Sequence, residues 1–284
     1  MQSPSHDDLG VTRCGSLDLR WGERTYVMGV VNVAPDSFSG DGLNDHEAAV
    51  AQGHRLVEEG ADIIDVGGES TRPDFTPVTA EEEIRRVVPV VERLASELPV
   101  PVSIDTCKAA VAREAVAAGA RMINDVWGLK RDPELASVAA ESGAALVVTQ
   151  NQRGAQFDDL LPELIADLNR SVEMALRSGV EWRNIIVDPG VGFGKTVRQN
   201  LEIVRRLSEM KCLGRPILLG TSRKSFIGFV LDLPVDQRLE GTSATVALGI
   251  ANGADVVRVH DVGHMVRVVR MGDAVVRGWQ GEDK

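Results

Sequence analysis

The feature that most restricts the fold is a repeat of character rather than of letters. Eight short runs rich in β-branched residues recur along the chain: TYVMGVVNV (25–33), ADIIDVG (61–67), PVSIDT (101–106), RMINDV (121–126), ALVVTQ (145–150), NIIVDPG (184–190), PILLGTS (216–222) and VVRVHDV (256–262). Between them lie stretches such as HEAAVAQGHRLVEEG, EEEIRRVVPVVERLASEL and AAVAREAVAAGA, whose apolar residues recur at i, i+3 and i+4 as on an amphipathic helix. Gly60, Gly119, Gly143 and Gly179 stand where C-terminal helix caps are expected. Strands apolar on both faces, each followed by a helix, form a parallel sheet covered by helices. Eight such units over about 250 residues match a (β/α)8 barrel. The competing architecture, a doubly wound open sheet, needs a reversal of strand order and usually fewer strands. The expectation is one α/β domain over 1–284, a single TIM barrel spanning 27–272. Residues 13–26 form a short N-terminal hairpin at the barrel floor, and residues 1–12 are disordered.

Charge and cysteine usage narrow the class. With 42 acidic against 31 basic side chains and a formal charge of −11, the chain is not expected to bind nucleic acid, and the acidity reads as solubility. Three widely spaced cysteines (Cys14, Cys107, Cys212) without a CxxC pair read as reduced thiols. MQSPSHDDLG lacks the pattern of a signal peptide, and no apolar run reaches the ~18 residues of a membrane span. A cytoplasmic protein without membrane contact is expected.

Chemistry in such a barrel gathers at the C-terminal ends of the strands, and all eight ends are polar. They carry Asn32 and Asp36; Glu69, Thr71 and Arg72; Asp105; Asn124 and Asp125; Gln150 and Asn151; Asp188; Ser222, Arg223 and Lys224; Arg258, His260 and Asp261. Helix capping accounts equally well for Thr106, Asp125 and Asp261. It does not account for Asp105, Asn124, Asp188, Lys224, Arg258 and His260, which lie within or just past apolar strands, where an unpaired charge is costly. These point into one shared pocket. Two carboxylates and an amide suit the edge of a planar amino-pyrimidinone heterocycle. Arg72, Arg258 and His260 suit an anion. In DPGVGFGK (188–195) glycines allow backbone to approach a ligand, and Phe193 offers a stacking face.

Taken together, NVAPDSFSGDG, DVGGESTRP, SIDT, INDV, IIVDPGVGFGK, GTSRKSFIG and VRVHDV resemble dihydropteroate synthase, of the pterin-binding barrel group, from about Val27 to Val262. That resemblance implies a homodimeric (β/α)8 enzyme joining 4-aminobenzoate to (7,8-dihydropterin-6-yl)methyl diphosphate. It assigns Asp105, Asn124, Asp188, Phe193 and Lys224 to the pterin. Asn32, Thr71, Arg72, Arg258 and His260 fall to the diphosphate, with Asn32 also helping to carry Mg2+. Phe38, Thr71, Pro73 and Ser225 fall to the aminobenzoate. Asp105, Asp188, Lys224, Asn32, Arg258 and His260 are the residues expected to carry catalysis. Sulfonamides, which resemble aminobenzoate, are expected to compete for the same pocket.

Three places depart from the family pattern: Ala34 where Thr is usual, Ser39-Gly40-Asp41-Gly42 where Ser-Asp-Gly-Gly is common, and Gln150-Asn151-Gln152 where Met-His-Met or a relative is frequent. The first two lie in a loop expected to touch aminobenzoate, so a sulfonamide-insensitive variant stays open. Ala34 and the third leave open a catalytically weak pterin-binding paralogue. A methyltetrahydrofolate:corrinoid methyltransferase would keep the pterin residues but has no use for Arg72, Arg258 and His260. A Schiff-base role for Lys224 is a minor alternative. Arg223 reads equally as the group lowering its pKa or as a structural ion-pair partner. Glu69 is expected to orient Arg72.

Overall fold

The computed structural model describes residues 9–15, 17–33, 42–69, 77–151, 157–279 and 281, with the backbone alone at 42–45. Its barrel strands are β3 (Tyr26–Asn32), β4 (Ile63–Gly67), β5 (Val102–Asp105), β6 (Met122–Asp125), β7 (Ala145–Thr149), β8 (Ile185–Asp188), β9 (Leu218–Leu219) and β10 (Val256–Val259). They pair in parallel in the order β8-β7-β6-β5-β4-β3-β10-β9. A parallel bridge between Val187 and Ile217 joins β8 to β9 and closes the ring. The strands lie inside the predicted runs, and the eight-fold reading of the sequence describes the barrel.

Helices α1 (Gly42–Glu58), α2 (Ala80–Glu97), α3 (Ala109–Ala117), α4 (Glu134–Ser142), α5 (Leu160–Arg177), α6 (Val197–Arg205), α7 (Ser225–Leu231), α8 (Leu239–Ala251) and α9 (Val262–Arg277) follow the barrel strands. The expected caps are present: Gly60, Gly119, Gly143 and Gly179 all have positive φ. The chain stays helical to Arg277, past the predicted barrel end at 272. An ion pair one turn apart between Asp273 and Arg277 holds that last turn, and Asp273 also accepts the Thr25 N–H at 2.8 Å.

Strand alternation divides the core. Val31, Ile64, Ile104, Ile123, Leu146 and Val187 face outward under the helices. Met28, Ile63, Met122, Ile186, Leu218 and Val256 face inward, in a second cluster that includes Cys14, Leu19 and Trp21 of the N-terminal segment. That segment is an antiparallel hairpin, β1 (Val11–Cys14) and β2 (Leu17–Arg20). It begins at Val11, inside the stretch expected to be disordered, because Val11 pairs with Arg20 and Thr12 with Leu19. It ends at Arg20 because Tyr26 belongs to the barrel. The hairpin plugs the N-terminal floor of the barrel, as predicted. Its Trp21 packs edge-to-face on Tyr26 with ring centres 5.6 Å apart and donates its indole N–H to Thr12 Oγ1 at 3.0 Å.

Two residues beyond Ile63, Met122, Ile186 and Val256 on the same inward face come Asp65, Asn124, Asp188 and Arg258. The interior therefore turns from apolar to charged toward the C-terminal ends of the strands. Among the described residues no helix is long and apolar enough to cross a membrane.

Candidate active site

The polar layer is built by neighbouring strands held in register. Gly67 on β4 pairs with Asp105 on β5, and Asp105 with Asn124 on β6. Thr149 on β7 pairs with Asp188 on β8. Asp65, Asp105, Asn124 and Asp188 are all buried. Gly67 lies between two of the predicted residues: a Cβ there would be in ordinary contact with Asp105 Cβ at 3.5 Å and Asn32 Oδ1 at 3.8 Å.

At the centre is the Arg258 guanidinium. Its Nε donates to Asp65 Oδ2 at 2.7 Å and its Nη2 to Asp105 Oδ2 at 2.6 Å. Asp65 Oδ2 also accepts from Asn124 Nδ2 at 2.9 Å. Arg258, which the family resemblance assigns to the diphosphate, is thus engaged with carboxylates on the pterin side. Burial pushes Asp105 up to about 7; Arg258 opposes the shift and Asp65 adds to it. Burial also raises Asp188, opposed by the Gly190 N–H and by Lys224. Burial thus makes both acids harder to ionise than in water, and the cations beside them, Arg258 and Lys224, favour the carboxylate form.

The segment after β8 forms one wall. Gly190 has φ +68 and a Cβ there would fall 1.8 Å from the Gln150 carbonyl oxygen; Gly192 has φ +84 and a Cβ there would meet Lys224 Cδ at 2.9 Å. Only glycine fits either place. The turn is tied back by Gly190 N–H to Asp188 Oδ1 at 2.8 Å and Gly192 N–H to Asn200 Oδ1 at 2.7 Å. Lys224 Nζ then lies 4.3 Å from the centre of the Phe193 ring. The geometry brings Lys224, Phe193 and Asp188 together.

His260 follows β10. Its backbone N–H donates to Ser222 Oγ at 3.1 Å, and its Nδ1 lies 3.0 Å from the same oxygen. Burial, with Arg258 and Arg223 nearby, brings its pKa down to about 4. The ring is neutral at physiological pH and offers a hydrogen bond rather than a charge. Asn32 ends β3 exposed, and Ser225 opens α7 exposed. Phe38, Thr71, Arg72 and Pro73, together with Ala34, Gly40, Asp41 and Gln152, lie outside the described residues.

Several side chains take structural parts. Arg223 forms a two-point ion pair with Asp261, at 2.9 and 2.5 Å, so it is committed to Asp261 rather than to Lys224. Asp261 in turn makes no side-chain cap for α9. Asp125 accepts from the backbone of Trp127 and Leu129 in the turn after β6 and does not cap a helix, since α4 begins only at Glu134 behind Pro133. Glu69 accepts the Val78 N–H at 3.0 Å and pairs with Lys108 at 2.7 Å. Its expected partner Arg72 is not among the described residues.

Two site residues were missed in the sequence, Asp65 and Lys195. Asp65 sits in IIDVG, where an acid inside an apolar run, on the inward parity of Ile63, was the available signal. Lys195 Nζ donates to Gln150 Oε1 at 2.5 Å and to the carbonyls of Gly190 at 2.9 Å and Phe193 at 3.3 Å. Gln150, a departure from the family pattern, thus fixes the lysine that braces the 188–195 turn.

The family described as pterin binding enzyme matches residues 28–260. The dihydropteroate synthase of Bacillus subtilis (strain 168) is 51% identical over 259 residues, covering 91% of each chain. Dihydropteroate synthase from Clostridium difficile, solved in the presence of pteroic acid, superposes with a TM-score of 0.88 at 51% identity, covering 90% of this chain and 98% of that one. The Xanthomonas albilineans dihydropteroate synthase with 4-aminobenzoic acid gives a TM-score of 0.88 at 42% identity, covering 93% and 97%. With a barrel of this topology and a polar pocket at its strand ends, the chain belongs to the pterin-binding enzymes, among the dihydropteroate synthases.

Proposed function

We propose that the chain condenses 4-aminobenzoate with (7,8-dihydropterin-6-yl)methyl diphosphate, giving 7,8-dihydropteroate and diphosphate for folate biosynthesis. The observation that carries this reading is the convergence of Asp105, Asn124, Asp188 and Lys224 at one end of the barrel, beside Phe193. That set matches a flat heterocycle with alternating donors and acceptors. The relatives solved with pteroic acid and with 4-aminobenzoic acid share this fold. A methyltransferase has no diphosphate to hold, so the His260 imidazole, anchored by Ser222 as a neutral hydrogen-bonding group at the strand end, supports the synthase.

In the reaction the C–O bond to the diphosphate breaks and positive charge spreads from the exocyclic methylene into the pterin. Asp105 and Asp188 favour that charge, and the aniline nitrogen of aminobenzoate closes on the carbon and then loses its proton. An aniline is a weak nucleophile, so a dissociative step asks less of it than direct displacement. His260 donates a hydrogen bond to the departing diphosphate. Arg258, balanced between Asp65 and Asp105, holds the two acids together in the resting enzyme.

Mg2+ fits as a substrate-borne ion. Among the described residues no group of three His, Cys, Asp or Glu side chains can hold a metal. Asn32 offers one neutral oxygen, which suits an ion that keeps its waters and takes its other ligands from a diphosphate. Bound there, Mg2+ would supply charge neutralisation to the leaving group.

A homodimer accords with the exposed apolar side chains of three adjacent helices: Phe229 and Val230 on α7, Leu248 on α8, and Met271 and Val275 on α9. Sulfonamides are expected to compete with aminobenzoate, and the cytosol is the expected compartment. The test of the function is diphosphate release from the two substrates with Mg2+, measured with and without aminobenzoate. Absence of dihydropteroate at any enzyme level overturns the reading; pterin binding without turnover favours the weak paralogue.

A further inference from the structure

Asp65 has no place among the residues that the family resemblance assigns, yet it is fully buried at the centre of the pocket. One of its oxygens, Oδ2, takes two donors: Asn124 Nδ2 at 2.9 Å and Arg258 Nε at 2.7 Å. This arrangement decides which way the Asn124 amide points. Turning the amide over would set its oxygen against a carboxylate oxygen, acceptor against acceptor. With Nδ2 committed to Asp65, Oδ1 is left over. Among the described residues Asn124 Oδ1 is buried without a hydrogen-bond partner, and so is Asp65 Oδ1. Buried acceptors of this kind are rare and require a donor.

We propose that Asp65 is a positioning residue that sets the polarity of Asn124, so that Asn124 Oδ1 accepts from an N–H of the heterocycle. The proposal rests on the reading that the pocket takes a pterin. It makes Asp65 a determinant of specificity: it fixes one position of the donor–acceptor pattern without touching the reacting atoms. The same carboxylate aligns the Arg258 guanidinium, whose other edge reaches Asp105 at 2.6 Å.

The test is a set of variants read by the affinity for 6-hydroxymethyl-7,8-dihydropterin alone and by both Michaelis constants. Asp65→Leu should weaken pterin binding on the order of tenfold to hundredfold, the range expected for losing a hydrogen bond to a charged group. The KM for 4-aminobenzoate should stay within about twofold, whereas a merely structural role would move both substrates together. Asn124→Asp places two carboxylates in contact and should weaken pterin binding to a similar degree. Adding Asp65→Asn to it restores the pair in reversed order, with an amide donating to a carboxylate, and should recover most of the binding. Unchanged pterin affinity in Asp65→Leu, or a double variant no better than Asn124→Asp, overturns the proposal. Should the Leu variant not fold, neutron diffraction of the wild-type pterin complex decides: deuterons on the amide atom facing Asp65 support it, and deuterons facing the ring overturn it. If the wild-type enzyme makes no dihydropteroate, the proposed function fails, while pterin affinity still reports on Asp65.

Discussion

Ser222 Oγ holds His260 at two points, accepting its backbone N–H at 3.1 Å and meeting its Nδ1 at 3.0 Å. The imidazole is thereby fixed at the strand end in a setting that disfavours its charged form. Its folded-state pKa is about 4, below the ordinary 6.5. Between those values the unfolded chain binds a proton that the folded one does not, so the wild type loses stability as pH falls from about 6.5 to about 4. His260→Asn should remove that part of the slope, about 1–2 kcal/mol after allowance for the ring's partial exposure. Denaturant unfolding at pH 7 and pH 4.5 reads the difference. An unchanged slope in the variant would mean that His260 titrates normally.

Asp105 carries the opposite sign. Burial lifts it from 3.8 to about 7, so between those values the folded state holds a proton that the unfolded state releases. Its contribution to stability is present below about pH 4 and fades as pH rises through 7. Asp105→Asn, neutral at every pH, should match or exceed the wild type in melting temperature at pH 7.5 and lose that advantage at pH 4. Turnover should fall at least about a hundredfold, because charge stabilisation on the pterin is lost. Lys224→Ala should abolish turnover with the fold intact. Thermal melts at both pH values, beside dihydropteroate formation, check all three outcomes.

The barrel was legible because each βα unit writes its own pattern: an apolar strand, a polar end, an amphipathic helix. Asp105, Asn124, Asp188 and Lys224 could be picked because a charged or amide side chain at the end of a buried strand is costly without a partner. Pairings made only by closing the ring were hidden. Arg258 meets Asp65 across 193 residues, and nothing local to VRVHDV says that its guanidinium turns to a strand on the far side of β3. Asp65 was masked by its setting, since IIDVG reads as buried on both faces and the inward parity of its acid carries weight only once the barrel is in hand. Strand β9 is only Leu218–Leu219 within PILLGTS, since Ile217 makes an isolated bridge to Val187 and the chain turns polar at Gly220-Thr221-Ser222.

Gln150 and Lys195 form a brace whose strength can be graded. Lys195 is pulled down to about 7 by burial, with neutral oxygens from Gln150, Gly190 and Phe193 around its Nζ. Lys195→Met leaves these buried acceptors without their donor and should cost about 1–3 kcal/mol. It should also raise the pterin KM roughly tenfold, because the turn carrying Phe193 loosens beside Asp188. Gln150→Met, which puts a thioether where relatives often have one, leaves the Gly190 and Phe193 carbonyls in place. It should cost no more than about 1 kcal/mol and leave turnover within about fivefold. Denaturant unfolding and both Michaelis constants for each variant supply the comparison. Equal losses in the two would show that the Gln150 amide, not the backbone cradle, holds the lysine.

The hairpin should matter to stability and not to chemistry. Trp21 is 5% exposed and closes the barrel floor with Tyr26, Met28 and Ile63. Its indole N–H on Thr12 links the hairpin to the segment before β8, since Thr12 Oγ1 donates to the Arg183 carbonyl. Trp21→Ala opens a cavity between hairpin and barrel and leaves Thr12 without its donor, which together should cost about 3–5 kcal/mol. The site lies at the opposite ends of the same strands, separated from the floor by the inward layer of Met122, Ile186 and Val256. Both Michaelis constants should therefore stay within about twofold at temperatures where the variant is folded. Guanidinium unfolding and steady-state rates in one buffer test the two halves. A large rise in pterin KM without loss of fold would mean that the floor sets the width of the pocket.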